Sequence, residues 1–358
     1  MVIETLSEDL LMEILWRLPV KSLLQSKSVC KNWYALIQSP SFISLHHYRA
    51  AQNTDCLFVK RALRGGNGKI ILSFIPNELL TEDIDISFTR LDIEKLQLLG
   101  PCNGVVCLTE GGYHSTIVIC NPSMREFRVL PQPSHKKGYM ANLGFGFDHY
   151  TNDYKVVKFG YLDPEFKTWL IDETIEIYEL STDSWREVYA ESPVKYGFHC
   201  TYSCCASWNG DFYWYASCPG RGASIMMFSM TDEGFNELSV PEVCLLDDYS
   251  ERKLFILNDS LALVLYPRGW VPSLIPPVDF SFEKCFDIWV MDEHGVEVSW
   301  TWTKKISIGP LHKPNFALGF RKNGEVLLEC GGGQMMSYNL DTRQIKEYQV
   351  YGRSPPHC

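Results

Sequence analysis

The stretch IEIYELSTDSWREV, residues 175–188, holds an apolar strand, a Thr-Asp turn signal and an aromatic residue, Trp185, that opens a second strand. The same unit recurs as IVICNPSMREFRVLP (117–131), IMMFSMTDEGFNELSVP (225–241), FDIWVMDEHGVEVSWTW (286–302) and MMSYNLDTRQIKEYQV (335–350). Its matched positions, Phe127, Trp185, Phe235, Trp300 and Ile345, are 58, 50, 65 and 45 residues apart, a spacing that suits propeller blades. Another strand pair precedes most copies: NGVVCL at Asn103, LGFGFDHYTNDYKVVKF at Leu143, NGDFYWYA at Asn209 and NGEVLLEC at Asn323. Each repeat thus offers about four strands. The 308 residues beyond residue 50 accommodate about six blades of roughly 50 residues. Five are legible. The segment Cys56 to Phe88 is expected to supply most of a sixth, completed by the C-terminal end, because a closed ring leaves no strand edge exposed. An open β-sandwich or twisted stack is the alternative.

Before residue 50 the periodicity is helical. Thr5 and Glu8 have capping-box spacing, and Leu10, Leu11, Ile14, Leu15 and Leu18 recur at three- and four-residue intervals until Pro19 stops the run. A second helix begins near Val20 and carries Leu23 and Leu24. A third, from about Cys30, sets Trp33, Leu36 and Ile37 on one side before Pro40. Three short helices hide too little surface for the large apolar side chains they carry. Either they pack on the rest of the chain, or another polypeptide covers them.

The string LSEDLLMEILWRLPVKSLLQSKSVCKNWYALIQSPSF, residues 6–42, resembles an F-box along its whole length. It has the opening Leu, the acidic pair, Ile-Leu, Leu-Pro, Lys-Ser-Leu, Val-Cys-Lys-x-Trp and Leu-Ile. The resemblance implies docking on a Skp-type adaptor, and through it on the cullin and RING subunits of a ubiquitin ligase. Carried over position by position, the adaptor-facing residues are Leu6, Ile14, Leu15, Leu18, Pro19, Leu23, Val29, Cys30 and Trp33. Ser7 departs from the family's Pro after the first Leu; Ser caps a helix well but does not fix the backbone dihedral.

Beyond the helices, GPCNGVVCL, CNPSMREFRVLP, LGFGFDHYTNDYKVVK, NGDFYWYA and DIWVMDEHGVEVSWTWTKKISIGPL look like the F-box-associated domain of plant F-box proteins. These segments resemble those of the S-locus F-box and S-locus-F-box-like group. The expectation is therefore an α+β multidomain chain, with a three-helix F-box at 1–48 and a propeller-like substrate-recognition domain of about six blades at 49–358. The implied function is that of a non-catalytic substrate receptor in an SCF-type ligase, binding S-locus ribonucleases in pollen for ubiquitination and degradation in self-incompatibility. A paralogue recognising an unrelated target outside self-incompatibility is the alternative within the family; a propeller enzyme with an incidental helical cap is the alternative outside it.

Composition narrows the classes. With 46% hydrophobic, 21% charged and 13% aromatic residues, the 358-residue chain is neither disordered nor fibrous. The run LLMEILWRLPV is broken by Glu13 and Arg17, and no stretch approaches the roughly 18 apolar residues of a membrane span. No secretory signal is visible, so a cytoplasmic, reducing location is expected, the pollen-tube cytosol for a pollen determinant. The net charge of −10 lies wholly beyond residue 48, which disfavours nucleic acid and favours a basic protein partner.

Several candidate sites have plainer explanations. Thirteen Cys without a CxxC pair read as free thiols, and His199, Cys200, Cys204 and Cys205 lack the short-spaced pairs of a closed zinc site. RGGNGKI near Gly68 and GFGF at Gly144 read as turns or bulges, not phosphate loops, and GGG at Gly331 reads as a hairpin. Nothing resembles GxSxG, His149 and His294 sit beside turn residues, and neither a catalytic residue nor a cofactor or metal is expected. Acidic residues Glu78, Glu82, Asp83 and Asp85, with Asp163, Glu165, Asp172, Glu173, Asp247 and Asp248, form either a solvated face or a docking surface for a basic ribonuclease.

Overall fold

The computed structural model describes residues 7–53, 57–62, 70–77, 80–84, 96–110, 116–133, 140–161, 174–191, 205–218, 222–245, 249–267, 284–294, 299–311, 314–321, 323–330 and 334–351. It opens with α1 (Glu8–Leu15), α2 (Val20–Ser26), α3 (Lys31–Gln38) and α4 (Pro40–Asn53). Ser7 is the N-cap of α1, its hydroxyl accepting from Leu10 N–H at 3.4 Å, where a Thr5–Glu8 box was expected; Thr5 lies outside the described residues. The fourth helix corrects the expected three. The third helix does end before Pro40, with Ser39 extended as a residue before proline must be, but Pro40 also begins a helix: it is the first residue of α4, a position where its missing N–H costs no bond, and Ser39 caps it by accepting from Phe42 N–H at 3.2 Å. The domain boundary expected at residue 48 therefore falls inside a continuous helix.

The strands follow in chain order. A three-stranded sheet holds β1 (Leu57–Ala62), β2 (Ile70–Asn77) and β3 (Leu80–Ile84). The first blade is β4 (Gln97–Cys102), β5 (Val105–Thr109), β6 (Ile117–Asn121) and β7 (Glu126–Val129). The second is β8 (Met140–Asp148), β9 (Asp153–Tyr161), β10 (Thr174–Glu179) and β11 (Ser184–Tyr189). The third is β12 (Cys205–Trp208), β13 (Asp211–Cys218), β14 (Gly222–Ser229) and β15 (Gly234–Ser239). The fourth is β16 (Tyr249–Leu257), β17 (Ser260–Pro267), β18 (Lys284–His294) and β19 (Ser299–Leu311). The fifth is β20 (Pro314–Phe320), β21 (Glu325–Cys330), β22 (Gln334–Asn339) and β23 (Ile345–Tyr351).

Among the described residues there are thus five four-stranded blades, not about six. The segment expected to become a sixth gives three strands, and the last strand does not complete it: β23 pairs with β22 in its own blade. Side-chain packing joins the three-stranded sheet to both neighbours instead. Leu72 and Phe58 meet Leu96, Val106, Leu108 and Val118 of the first blade, while Val59 packs on Leu327, Met335 and Tyr348 of the fifth.

First strands adjoin around the centre, β4 beside β8, β8 beside β12, β12 beside β16 and β16 beside β20. Fourth strands such as β7 and β11 lie outermost and are largely exposed. Between blades the faces interlock; Phe159 and Ile177 of the second meet Phe212, Trp214, Phe228 and Phe235 of the third. The repeat read from sequence is equivalent in all five blades: Phe127, Trp185, Phe235, Trp300 and Ile345 pair with Cys120, Tyr178, Phe228, Glu293 and Tyr338, each the penultimate residue of a third strand. In three blades the preceding loop ends in a left-handed residue, Arg125, Asp183 or Glu233, and in the fifth the left-handed residue, Arg343, stands one position earlier.

The Asn-Gly turns at Asn103 and Asn209 are two-residue hairpins with both residues at positive φ. The strand pair missing from the sequence reading, β16–β17, uses the same geometry with Asn258-Asp259, an Asx turn without the glycine that signals it. GFGF is a correction of another kind: Gly144 and Gly146 lie within β8, in regular register with β9, and not in a turn or bulge. A Cβ on Gly144 would stand 2.7 Å from Phe212 Cγ, and one on Gly146 2.9 Å from both the Phe212 ring and Ser207 Oγ. Glycine here lets an aromatic ring of the third blade lie flat on the second. Indole N–H groups then fasten the seams, from Trp185 to Pro131 O at 2.7 Å, Trp208 to Asp259 O at 2.9 Å and Trp302 to Ser239 O at 2.8 Å. In urea unfolding, Gly144→Ala is expected to cost about 1–3 kcal/mol by overpacking, and a second change, Phe212→Leu, to recover part of it.

Candidate functional site

The helical module builds its own interior. Leu11, Leu15, Leu23, Ile37 and Phe42 form the buried core, with Met12, Trp16, Leu18, Trp33 and Leu36 packed partly against it. His46 Nε2 lies 2.9 Å from Leu18 O and its ring stacks on Phe42, which ties α4 to the corner between α1 and α2. Among the described residues, that core contains none from the β region. Burying Leu11 and Leu15 turns Leu10 and Ile14, one position earlier on the same helix, outward.

The residues expected to face an adaptor divide into three groups. Ile14, Pro19, Cys30 and Val29, the last 61% exposed, are on the surface. Leu18 and Trp33 are half-buried, each with one side against the core. Leu15 and Leu23 are inside, so they shape the module without presenting themselves to a partner. Leu6 lies outside the described residues. The sequence reading passed over Leu10, Tyr34 and Ile43, which are also exposed. Leu10 was legible as the i−4 neighbour of Ile14; Ile43 was not, because α4 was unrecognised.

Of the acidic residues, Glu82 and Asp83 fall in β3, opposite Phe74 and Ser73. Glu78, Asp85, Asp163, Glu165, Asp172, Glu173, Asp247 and Asp248 lie outside the described residues, as do RGGNG of the first glycine cluster and His199, Cys200 and Cys204; Cys205 opens β12. The strands flanking Gly331 pair antiparallel, Cys330 against Gln334, as a hairpin there requires.

A few of the charges described in the propeller are internal, among them Asp148, Asp153, Lys155 and Glu176. Lys155 Nζ lies 2.7 Å from Asp148 Oδ2, both side chains almost fully buried, and Lys158 Nζ lies 2.9 Å from Glu176 Oε2. Burial pushes the Cys102 thiol up to about 11 and those of Cys120 and Cys244 to about 12, so they stay protonated at neutral pH and are poor nucleophiles. No helix among the described residues is long and apolar enough to cross a membrane.

Residues 75–354 match the F-box associated beta propeller domain, and residues 3–45 match the F-box domain. The chain belongs to the F-box associated β-propeller family of F-box proteins. It is 25% identical to F-box protein At3g07870 of Arabidopsis thaliana, over 98% of this chain and 88% of that protein. It is likewise 25% identical to the F-box/kelch-repeat protein At2g43445 of the same plant, over 95% of this chain and 76% of the other. Among solved structures, TolB from Acinetobacter baumannii aligns at a TM-score of 0.47 and 12% identity, covering 83% of this F-box protein and 64% of TolB.

Within the propeller, Asp148 has the strongest consequence for pH. Burial alone raises a carboxyl's pKa, but hydrogen bonds from Lys155, Thr151 and the Tyr150 N–H outweigh it and bring Asp148 down to about 2 from 3.8. A depressed carboxyl stabilises the fold above its ordinary value and loses that contribution as pH falls through the folded value. The stability advantage of wild type over Asp148→Asn, about 2 kcal/mol at neutral pH, is expected to vanish between about pH 4 and pH 2 in a series of urea titrations.

Proposed function

We propose that this F-box protein is the substrate-recognition subunit of an SCF-type cullin ubiquitin ligase: the helices dock on a Skp-type adaptor and the propeller holds the target. The observation that carries this reading is a module with a closed core of its own that still exposes Leu10, Ile14, Val29, Tyr34 and Ile43. Apolar anchors of this kind contribute roughly 1.5–3 kcal/mol each when they leave water, before ordering costs. The chain's contribution to ubiquitination is then proximity, a high effective concentration of target near the ubiquitin-loaded enzyme. Its place of action is the cytosol. Because Ile14 and Val29 are on the surface, Ile14→Asp with Val29→Asp is expected to leave the fold intact and weaken adaptor binding at least tenfold, about 1.4 kcal/mol or more, in a pull-down with purified adaptor. Undiminished capture refutes the assignment.

The target in this reading is a basic S-locus ribonuclease met in the pollen tube. Support comes from charge: the −10 of the chain lies entirely beyond the helical module. In sequence, Asp163, Glu165, Asp172 and Glu173 fall between β9 and β10, and Asp247 and Asp248 between β15 and β16. Reversing these acids to Lys is expected to lower capture of purified ribonucleases and flatten its salt dependence. Wild-type chain that binds adaptor but no member of an allelic ribonuclease panel points instead to a paralogue with a different target.

A further inference from the structure

We infer that Arg186, on the outermost strand of the second blade, sets the rigidity of the β8–β9 hairpin at the ring's centre through a chain of alternating charges. Arg186 Nε donates to Glu179 Oε1 at 3.0 Å, Nη1 donates to Glu233 Oε2 at 2.8 Å, and Nη2 pairs with Glu233 Oε1. Glu233 belongs to the turn between β14 and β15, so this arginine clasps the third blade. Glu179 Oε1 stands 3.9 Å from Lys155 Nζ, and Lys155 in turn holds Asp148 at 2.7 Å. The series Asp148, Lys155, Glu179, Arg186, Glu233 therefore crosses all four strands of one blade and steps to the next.

Asp148 is what fixes the hairpin. Its Oδ1 accepts from Tyr150 N–H at 2.8 Å and its Oδ2 from Thr151 Oγ1 at 2.7 Å, and Tyr150 at the tip is 87% exposed. Three carboxylates share two cations in this series. Without Arg186, Glu179 is left with Lys155 alone and competes with Asp148 for one buried ammonium. The ion pair that closes the hairpin weakens, although the substituted residue touches no part of it. Glu233 acts with the opposite sign: without it, Arg186 serves Glu179 alone, and Lys155 is released to Asp148.

The experiment is hydrogen–deuterium exchange on the full chain, read at peptides covering 148–153 and 230–234. Arg186→Ala is expected to speed exchange in 148–153 by about fivefold, Arg186→Lys to restore part of the protection, and Glu233→Gln to leave 148–153 as slow as wild type or slower. Acceleration confined to 230–234 in Arg186→Ala overturns the inference, since the arginine then acts only as a local clasp. So does faster exchange of 148–153 in Glu233→Gln. Should Arg186→Ala fail to fold, the contrast between Arg186→Lys and Glu233→Gln decides it: equal protection of the hairpin in both refutes the coupling.

Discussion

Each sheet in this molecule is apolar on both faces, and that constraint governs everything else. A lone four-stranded sheet with Ile177 on it, or Phe212 and Trp214, has two greasy sides and no means of hiding them. Side-by-side stacking about a centre gives every sheet two neighbours, and the three-stranded sheet fills the position where the first blade and the fifth would otherwise face water. Close approach matters more than hydrogen bonding across the seams. It explains why β8 gives up side chains at Gly144 and Gly146 to admit the Phe212 ring.

The helical module follows a different logic. Its core is small and self-sufficient, and it leaves large apolar side chains outside that the propeller does not absorb into a shared core. The two parts of the chain thus hide their apolar surface independently, one in a ring and the other only in part. This division is what makes a partner for the helices a physical expectation as well as a family resemblance.

The repeat was legible because its signals are local. A penultimate strand residue, a short turn and an aromatic or apolar residue recur where the third and fourth strands meet, and all five matched positions proved equivalent in register. What escaped reading depended on context or on ambiguous punctuation. Pro40 stops α3 and, with Ser39 as its cap, begins α4, and only the first of these two roles was read from the proline. Asn258-Asp259 adopts the geometry of Asn-Gly without its glycine, which hid β16 and β17. The number of complete blades could not follow from length alone, because one sector of the ring holds three strands. In the helical module, residue identity located the surface, but burial had to separate Ile14 from Leu15 and Val29 from Leu23.

The indoles of Trp185, Trp208 and Trp302 each reach a carbonyl belonging to an adjacent blade. The seam between the first and second blades therefore carries one native spectroscopic gauge and that between the third and fourth carries two, the chemical shift of each indole proton reporting the gap between two sheets. Distortion of the ring by a bound protein would be registered seam by seam, with no label introduced.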